Sequence, residues 1–181
     1  MIPKTGDSDM ATNPAQRSLA IVKASLKHLE SLHEAYKDGL EVRTIDYQPF
    51  YDSLSDDFVF ITRTTVSPHD GDYSRPPWSV VGKEQGKVEM MEAWSGGKGQ
   101  VDVKEVGQGS LVKWEVGAPL EYFSNAEGTR VVVLLQERYS GFSEWNYGAM
   151  VFNVHNGLIT RYEHLADMSG YLVETGYLTI A

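Results

Sequence analysis

Residues 151–165 read VFNVHNGLITRYEHL, and the fold class can be worked out from this stretch. Two strand-forming runs flank Asn156-Gly157, a dipeptide that readily takes the positive φ angles of a two-residue turn. The pattern predicts an antiparallel hairpin whose strands cover residues 144–154 and 158–165. The second of these strands carries His164, which makes the hairpin the first place to look for chemistry.

Further strands are predicted before the hairpin. Residues 111–123 and 130–140 are separated by the turn-forming segment Asn125-Ala126-Glu127-Gly128, and residues 58–65 alternate apolar with hydroxyl side chains. Short connections between successive strands predict antiparallel neighbours. The second half of the chain is therefore expected to form a meander.

Helices are predicted in the first half. Asn13-Pro14-Ala15-Gln16 combines an N-cap residue, a Pro suited to the first helical position and a Gln that can bond back to the cap. Apolar residues then recur every three or four positions as far as Tyr36, and Gly39 is the natural stop. Shorter helices are predicted over about residues 46–53 and 83–94. Helices followed by a long sheet indicate an α+β fold rather than a doubly wound parallel sheet.

Length and charge limit the class of protein. The chain has 181 residues, which suits a single domain, and a formal net charge of −9, which repels phosphate backbones and anionic membranes. We expect neither nucleic acid nor a membrane as a partner. Residues 1–12 are polar, without the apolar segment of a signal peptide, and no stretch approaches the roughly 18 apolar residues of a membrane span. A polar arm over 1–12, one domain over 13–181 and a cytoplasmic location are the expectations.

Common cofactor and metal motifs are missing from the sequence. The chain contains no Cys, and His28 and His33 lie five positions apart on the first predicted helix. That spacing separates their rings by about 140° around the helix axis, whereas a helical zinc pair needs a spacing of four. Neither a nucleotide-binding glycine loop nor a GxSxG nucleophile motif occurs. The sequence predicts no metal site and no organic cofactor.

His164 is the strongest candidate for a functional residue. It lies on the last predicted strand, two residues beyond Tyr162 and on the same face, with Asp167 just after the strand. Imidazole accepts or donates a proton near neutral pH, which suits an acid/base role. The alternative is a histidine that only bonds a neighbour and shapes the sheet.

Arg138 follows an apolar run over residues 131–135. A buried guanidinium is costly unless it is paired or holds an anion, so it either stabilises an oxyanion or forms a structural ion pair. The candidate partners for such an ion pair are Glu137, Glu163 and Asp167. Both faces of residues 131–135 are apolar, and a partner subunit is the simplest cover for the face turned away from the helices. We therefore expect a homodimer.

Three segments resemble the SnoaL-like branch of the nuclear-transport-factor-2-like superfamily, whose relatives include polyketide cyclases, limonene-epoxide hydrolases and ketosteroid isomerases. LSDDFVF at 54–60 is similar to the lead into the family's first strand, VGKEQ at 81–85 to the start of the helix before the sheet, and residues 151–164 to the C-terminal hairpin. The resemblance implies that residues 13–181 form a single SnoaL-like domain. It also implies a cone, in which a curved antiparallel sheet wraps around N-terminal helices as a cystatin-like α+β barrel with an apolar pocket.

The resemblance also implies where the site lies. The SnoaL-like cyclases and the limonene-epoxide hydrolases place an acidic residue on the final strand as acid/base, and His164 stands at that position here instead of Asp. The epoxide hydrolases carry an Arg-x-Asp pair earlier in the sheet; Arg138 matches its Arg, but Ser140 replaces its Asp. The base and the oxyanion acid of the ketosteroid isomerases correspond to Thr62 and Ala149, which do not support that chemistry.

The function implied is cofactor-free acid/base catalysis by a lyase, cyclase or isomerase, with aldol-type C–C bond making or breaking, or dehydration, of an apolar, aromatic or polyketide-like small molecule. His164 and Arg138 would be catalytic, with Asp167 either orienting His164 or acting as the acid itself. Two alternatives stay open: an epoxide hydrolase of the limonene-epoxide type, and a non-catalytic ligand-binding or dimerisation module. The expected substrate-binding residues are Asn146, Tyr162, Thr62, Trp78, Trp114 and Tyr147.

Overall fold

The computed structural model describes residues 13–27, 44–64, 81–102, 114–139 and 145–166. The elements in these ranges are α1 (Pro14–Ser25), β1 (Thr44–Asp46), α2 (Gln48–Asp52), β2 (Leu54–Thr64), β3 (Val81–Gly86), α3 (Lys87–Ser95), β4 (Gln100–Asp102), β5 (Trp114–Ser124), β6 (Arg130–Tyr139), β7 (Asn146–His155) and β8 (Leu158–Ala166). Six of these strands form one open sheet in the order β3-β2-β8-β7-β6-β5, while β1 and β4 pair separately. All paired strands are antiparallel except β2 and β8, which run parallel.

The predicted hairpin is confirmed as β7 and β8. Asn156 and Gly157 connect the two strands with φ angles of 50° and 82°, as a tight two-residue turn requires. The strands from β5 to β8 form the expected antiparallel meander. The expectation of an α+β fold with a long sheet after the first helices is confirmed. Register shifts occur within the β5–β6, β7–β8 and β2–β8 pairs, and such bulges bend a sheet.

The predicted start of α1 is also confirmed. The Asn13 side chain accepts a hydrogen bond from the backbone N–H of Gln16 at 3.0 Å, and Pro14 occupies the first turn. The helix lies against the turn between β5 and β6, because the Ser18 hydroxyl donates to the carbonyl of Gly128. Gly128 has a φ of 67°, and a Cβ atom there would lie 2.3 Å from the carbonyl oxygen of Pro14. This turn therefore fixes where the first helix sits on the sheet.

The helix predicted over residues 83–94 begins later than expected. Residues Val81–Gly86 form β3, which pairs with β2, and α3 starts at Lys87. Pairing with β2 satisfies the backbone groups of this segment along the sheet, whereas the first turn of a helix leaves its N–H groups without intrahelical partners. The predicted end of this helix near residue 94 is confirmed, since Gly96 follows α3 in the left-handed conformation with a φ of 59°.

The core lies between the helices and one face of the six-stranded sheet, called the interior face below. Tyr162 occupies its centre, with its ring centroid 4.6 Å from that of Phe152 and 5.0 Å from that of Phe60. These three residues are register partners on β8, β7 and β2. The next row of the interior face, two residues along each strand, holds Thr62, His164 and Met150.

Several expectations lie outside the described residues. They concern the arm over 1–12, the later part of the first predicted helix with His28 and His33, and the positions of Trp78, Ser140 and Asp167. Within the described ranges, no helix has the length and apolar character needed to cross a membrane.

Candidate active site

His164 and Glu137 form a buried pair on the interior face of the sheet. His164 projects from β8, and its Nε2 atom lies 3.1 Å from Oε2 of Glu137, which projects from β6. The His164 side chain is 12% exposed and the Glu137 side chain 1% exposed. A carboxylate buried to this degree is costly unless a charged or hydrogen-bonding partner compensates it, and His164 is such a partner.

Glu137 reaches His164 by crossing a whole strand, because β7 lies between β6 and β8. The crossing point is Gly148, where an added Cβ atom would lie only 2.7 Å from Oε1 of Glu137 and 3.2 Å from its Cδ. Glycine in the middle of a strand often marks such a close approach. The missing side chain at position 148 therefore provides the space in which the carboxylate lies.

Burial of the ring by itself lowers the pKa of His164, because it penalises the charged form. The negative charge of Glu137 and its hydrogen bond act in the opposite direction, and the net result is a pKa above the ordinary value of 6.5. The ring of Tyr162 also lies beside His164, with centroids 6.4 Å apart, and the register partners Thr62 and Met150 do not titrate near neutral pH. The site thus favours the imidazolium form.

This pKa shift predicts a pH dependence of stability. Because the folded pKa exceeds the unfolded value, the pair adds stability that is fully present below about pH 6.5 and is lost as the pH rises through the folded pKa. The free energy of unfolding should fall over that window, with a maximum slope of about 1.4 kcal/mol per pH unit. Urea unfolding at a series of pH values measures the slope, which His164→Gln should flatten. An equally steep slope in the variant would assign it to another group.

Four of the predicted site residues, His164 among them, lie on the interior face of the sheet with Glu137. The Tyr162 ring lies roughly parallel to that of His164, with centroids 6.4 Å apart and an angle of 24° between the planes. Thr62 is the register partner of His164 on β2, and Asn146, which is buried, is the register partner of Glu137 on β7. The interior face therefore carries a titratable imidazole together with a hydroxyl, an amide and a phenol, which are groups able to orient a polar atom of a bound molecule.

The other predicted residues do not join this group in the described structure. Tyr147 follows Asn146 directly, and its side chain is 70% exposed on the opposite face of β7. Arg138 and Trp114 lie in β6 and β5, with only their backbones among the described parts. Their roles, like those of Trp78 and Asp167, stay predictions. Within the described residues, no group of three or more His, Asp or Glu side chains is placed to hold a metal ion.

Sequence reasoning considered Glu137 only as an ion-pair partner for Arg138 and missed its contact with His164. Two signals in the sequence pointed to it. Glu137 continues the every-second-residue pattern of the buried Val131, Val133 and Leu135, which places it on the interior face. Gly148 interrupts the neighbouring strand, and a glycine there is a sign that another group approaches closely.

No family model matches the chain, and no curated protein matches it. Similar solved structures include a candidate polyketide cyclase from Xanthomonas campestris (14% identity, 89% of this chain and 98% of that chain covered, TM-score 0.46). A phenazine biosynthesis-related protein from Pseudomonas aeruginosa is also similar (12% identity, 99% and 92% covered, TM-score 0.49). So is a nuclear-transport-factor-2-like protein of unknown function from Burkholderia pseudomallei (18% identity, 83% and 95% covered, TM-score 0.46). The kinds of protein implied by the sequence resemblance are thus among the structural neighbours, but at these identities and TM-scores no activity follows.

Proposed function

We propose that this chain is a cofactor-free acid/base enzyme in which His164 moves a proton to or from an apolar small molecule. The observation that carries the proposal is the buried contact of 3.1 Å between His164 and Glu137. A buried imidazole whose charged form is stabilised by a carboxylate has a raised pKa and is a stronger base than the same group in water. Perturbed titratable pairs of this kind are more frequent at functional sites than elsewhere, which favours catalysis over a purely structural role.

The reaction class follows from what a single base can do without a redox group. His164 removes a proton from a carbon next to a carbonyl group, and the C–H electron pair is delocalised onto the carbonyl oxygen as an enolate. In an aldol-type ring closure, the enolate then attacks a second carbonyl carbon, and the oxygen of that carbonyl takes the proton back from the imidazolium. Alternatively, the enolate expels a β-hydroxyl group, which leaves as water with that proton, or it is protonated at another carbon. The reverse of the first path cleaves a C–C bond. Arg138 is the proposed source of positive charge for the enolate oxygen, as a lyase, cyclase or isomerase of this kind requires.

An aromatic or polyketide-like substrate is the class that the surroundings of His164 favour. Tyr162 and Phe152 stack at 4.6 Å with an angle of 13°, and both belong to the buried aromatic core beside the imidazole. Trp94, which is half-buried on α3, meets the Tyr162 ring edge-on at 6.2 Å. Aromatic surfaces with a few polar groups are typical of sites for flat apolar ligands.

Hydrogen exchange into a substrate tests this proposal without knowledge of the final product. A panel of aromatic ketones with exchangeable α-protons is incubated with the protein in D₂O, with EDTA present because no metal is expected to take part. Mass spectrometry should show catalysed deuterium uptake by wild type and not by His164→Gln. If panel compounds bind but none gains deuterium or is converted, the result supports the non-catalytic binding module instead.

We also propose that the sheet forms a homodimer through its outer face. Apolar side chains on that face are aligned across neighbouring strands, and the exposed Leu134, Leu165 and Phe123 are among them. Exposed apolar patches of this kind mark protein contacts. The two aligned rows are Phe123, Val132, Val151 and Leu134, Ala149, Leu165.

Light scattering at micromolar concentration should therefore return twice the chain mass of 20.2 kDa. Leu134→Lys should return the mass of a single chain, because it puts a charge in the middle of the apolar rows. Val88→Lys is the matched control, since Val88 is an exposed residue on α3 away from this face. A wild-type protein that scatters as a single chain would rule the dimer out.

A further inference from the structure

We propose that Glu137 is the positioning residue of this site and acts through the gap that Gly148 leaves in β7. Together they hold the His164 ring with Nε2–H towards the carboxylate, so that Nδ1 is the atom that exchanges the proton with the substrate. This role of Glu137 rests on the proposed acid/base function of His164. It adds which ring nitrogen exchanges the proton and which residues hold the ring in that orientation.

The assignment of the ring atoms follows from the chemistry of the two partners. A carboxylate can only accept hydrogen bonds, and a neutral imidazole carries its proton on one of its two nitrogens. The contact of 3.1 Å joins Oε2 of Glu137 to Nε2 of His164, so Nε2 is the donor. The lone pair of the neutral ring is then on Nδ1. A hydrogen bond of this kind is the usual means by which proteins select one histidine tautomer.

The step neither gains nor loses a proton overall. Neutral His164 takes a proton from the substrate carbon at Nδ1, and the resulting imidazolium is stabilised by the negative charge of Glu137. The same proton leaves from Nδ1 to the product, so the ring returns to its starting form. Glu137 keeps its charge throughout, because Nε2 retains its own proton. No co-reactant is required.

Gly148 is part of the mechanism in this proposal because no larger residue leaves the crossing open. Strands two apart in a sheet are separated by about 10 Å, so the Glu137 side chain must run over β7 to reach β8. A Cβ atom at position 148 would meet Oε1 of Glu137 at 2.7 Å and the carbonyl oxygen of Leu165 at 3.3 Å. The backbone cannot yield easily, so the flexible carboxylate would be displaced. Gly148→Ala is therefore expected to disturb the contact with His164 without altering either residue of the pair.

Nitrogen-15 NMR of the imidazole rings tests the proposal directly. The chain has five histidines, and the His164 signals are those that disappear in His164→Gln. In wild type, at a pH above the raised pKa where the ring is neutral, we expect the Nε2–H tautomer. Both Glu137→Gln and Gly148→Ala should lower the pKa of His164, since the carboxylate that raises it is neutralised or displaced while the burial that lowers it stays. The acidic limb of the pH profile of kcat, which reports loss of the neutral base, should move to lower pH as well. We expect kcat to be lower by about 10–100-fold, the cost typical of losing a partner that orients a metal-binding histidine.

Two matched variants separate this effect from general damage. Glu163→Gln removes the carboxylate next to His164 in sequence, which pairs with Arg161 at 2.6 Å. Gly86→Ala adds a methyl group where no atom lies within 4 Å. Neither should change the tautomer or the pKa of His164.

The outcomes also distinguish this inference from the proposed function. An Nδ1–H tautomer in wild type overturns the positioning role without any variant, and so does an unchanged His164 pKa in folded Glu137→Gln or Gly148→Ala. If both variants shift the pKa as expected while His164→Gln retains full activity, the pairing is upheld and the catalytic role of His164 is lost. If Glu137→Gln fails to fold, the His164 pKa in Gly148→Ala and the tautomer in wild type still test the positioning role of Glu137.

Discussion

His164→Gln should lower kcat by about 10²–10⁴-fold, which corresponds to about 3–5 kcal/mol of activation free energy. Glutamine is close to histidine in size, and its amide can still donate a hydrogen bond to Glu137, so the interior packing should be retained. It cannot take up or release a proton near neutral pH, so the chemical step loses its acid/base group. The loss should appear in kcat rather than in KM, as expected for an interaction that is made in the transition state. Deuterium uptake by a responsive ketone supplies the rate.

The matched control is His155→Gln, because His155 is an exposed histidine at the end of β7. It should keep the wild-type rate. Near-ultraviolet circular dichroism and urea unfolding show whether each variant is folded. A folded His164→Gln variant with the full rate would end the catalytic assignment, whatever the state of the Glu137 contact.

Gly128→Ala should destabilise the protein by about 2–4 kcal/mol, the largest effect on folding that we expect from a single added methyl group. A left-handed backbone conformation costs an alanine about 1–2 kcal/mol. The new Cβ atom would also lie 2.3 Å from the carbonyl oxygen of Pro14 and 2.4 Å from its carbon, both backbone atoms that cannot rotate away. The start of α1 must therefore move off the turn, and the hydrogen bond from Ser18 to the Gly128 carbonyl is weakened as it moves.

Gly157→Ala separates the cost of the left-handed backbone conformation from the cost of the clash with Pro14. Gly157 has a φ of 82° in the β7–β8 turn, but a Cβ atom there meets nothing within 4 Å. It should therefore show only the backbone cost, and urea unfolding of both variants gives the difference. We expect Gly128→Ala to be the more destabilising by at least about 1 kcal/mol, the usual net value of a hydrogen bond. Equal losses of the free energy of unfolding in the two variants would mean that α1 can shift without cost and that its position does not depend on this turn.

The parts of the fold that sequence could predict are those set by local chemistry. Asn13-Pro14 and Asn156-Gly157 specify a helix start and a tight turn through the backbone angles they favour, and both were located correctly. The start of α3 was misplaced because Lys83, Glu84 and Gln85 suit a helix equally well. Pairing with β2, a contact made far along the chain, decided the outcome.

In the candidate site, too, the feature set by local sequence could be predicted and the feature set by strand register could not. The position of His164 on the interior face could be predicted from its distance from Tyr162 along one strand. The contact with Glu137 could not be predicted in this way, because it runs diagonally across a third strand. It depends on the register of β6 against β7 and of β7 against β8, and on the absence of a side chain at Gly148. A single sequence gives strand periodicity without giving the register that joins three strands.

The parallel pairing of β2 with β8 has a consequence for the order in which the chain assembles. The strand that carries His164 lies between β2 and β7, so the first-half strands β2 and β3 join the meander only when β8 is in place. Phe60 and Tyr162, which pair across this junction, are about 100 positions apart, and contacts of such separation form late because closing the intervening loop costs entropy. Until then β2 and β8 each present an open edge, the kind of surface on which chains aggregate. Docking of β2 against β8 closes both edges, whereas the contact between His164 and Glu137 needs only the strands from β6 to β8. The His164–Glu137 contact can therefore form before the sheet is complete.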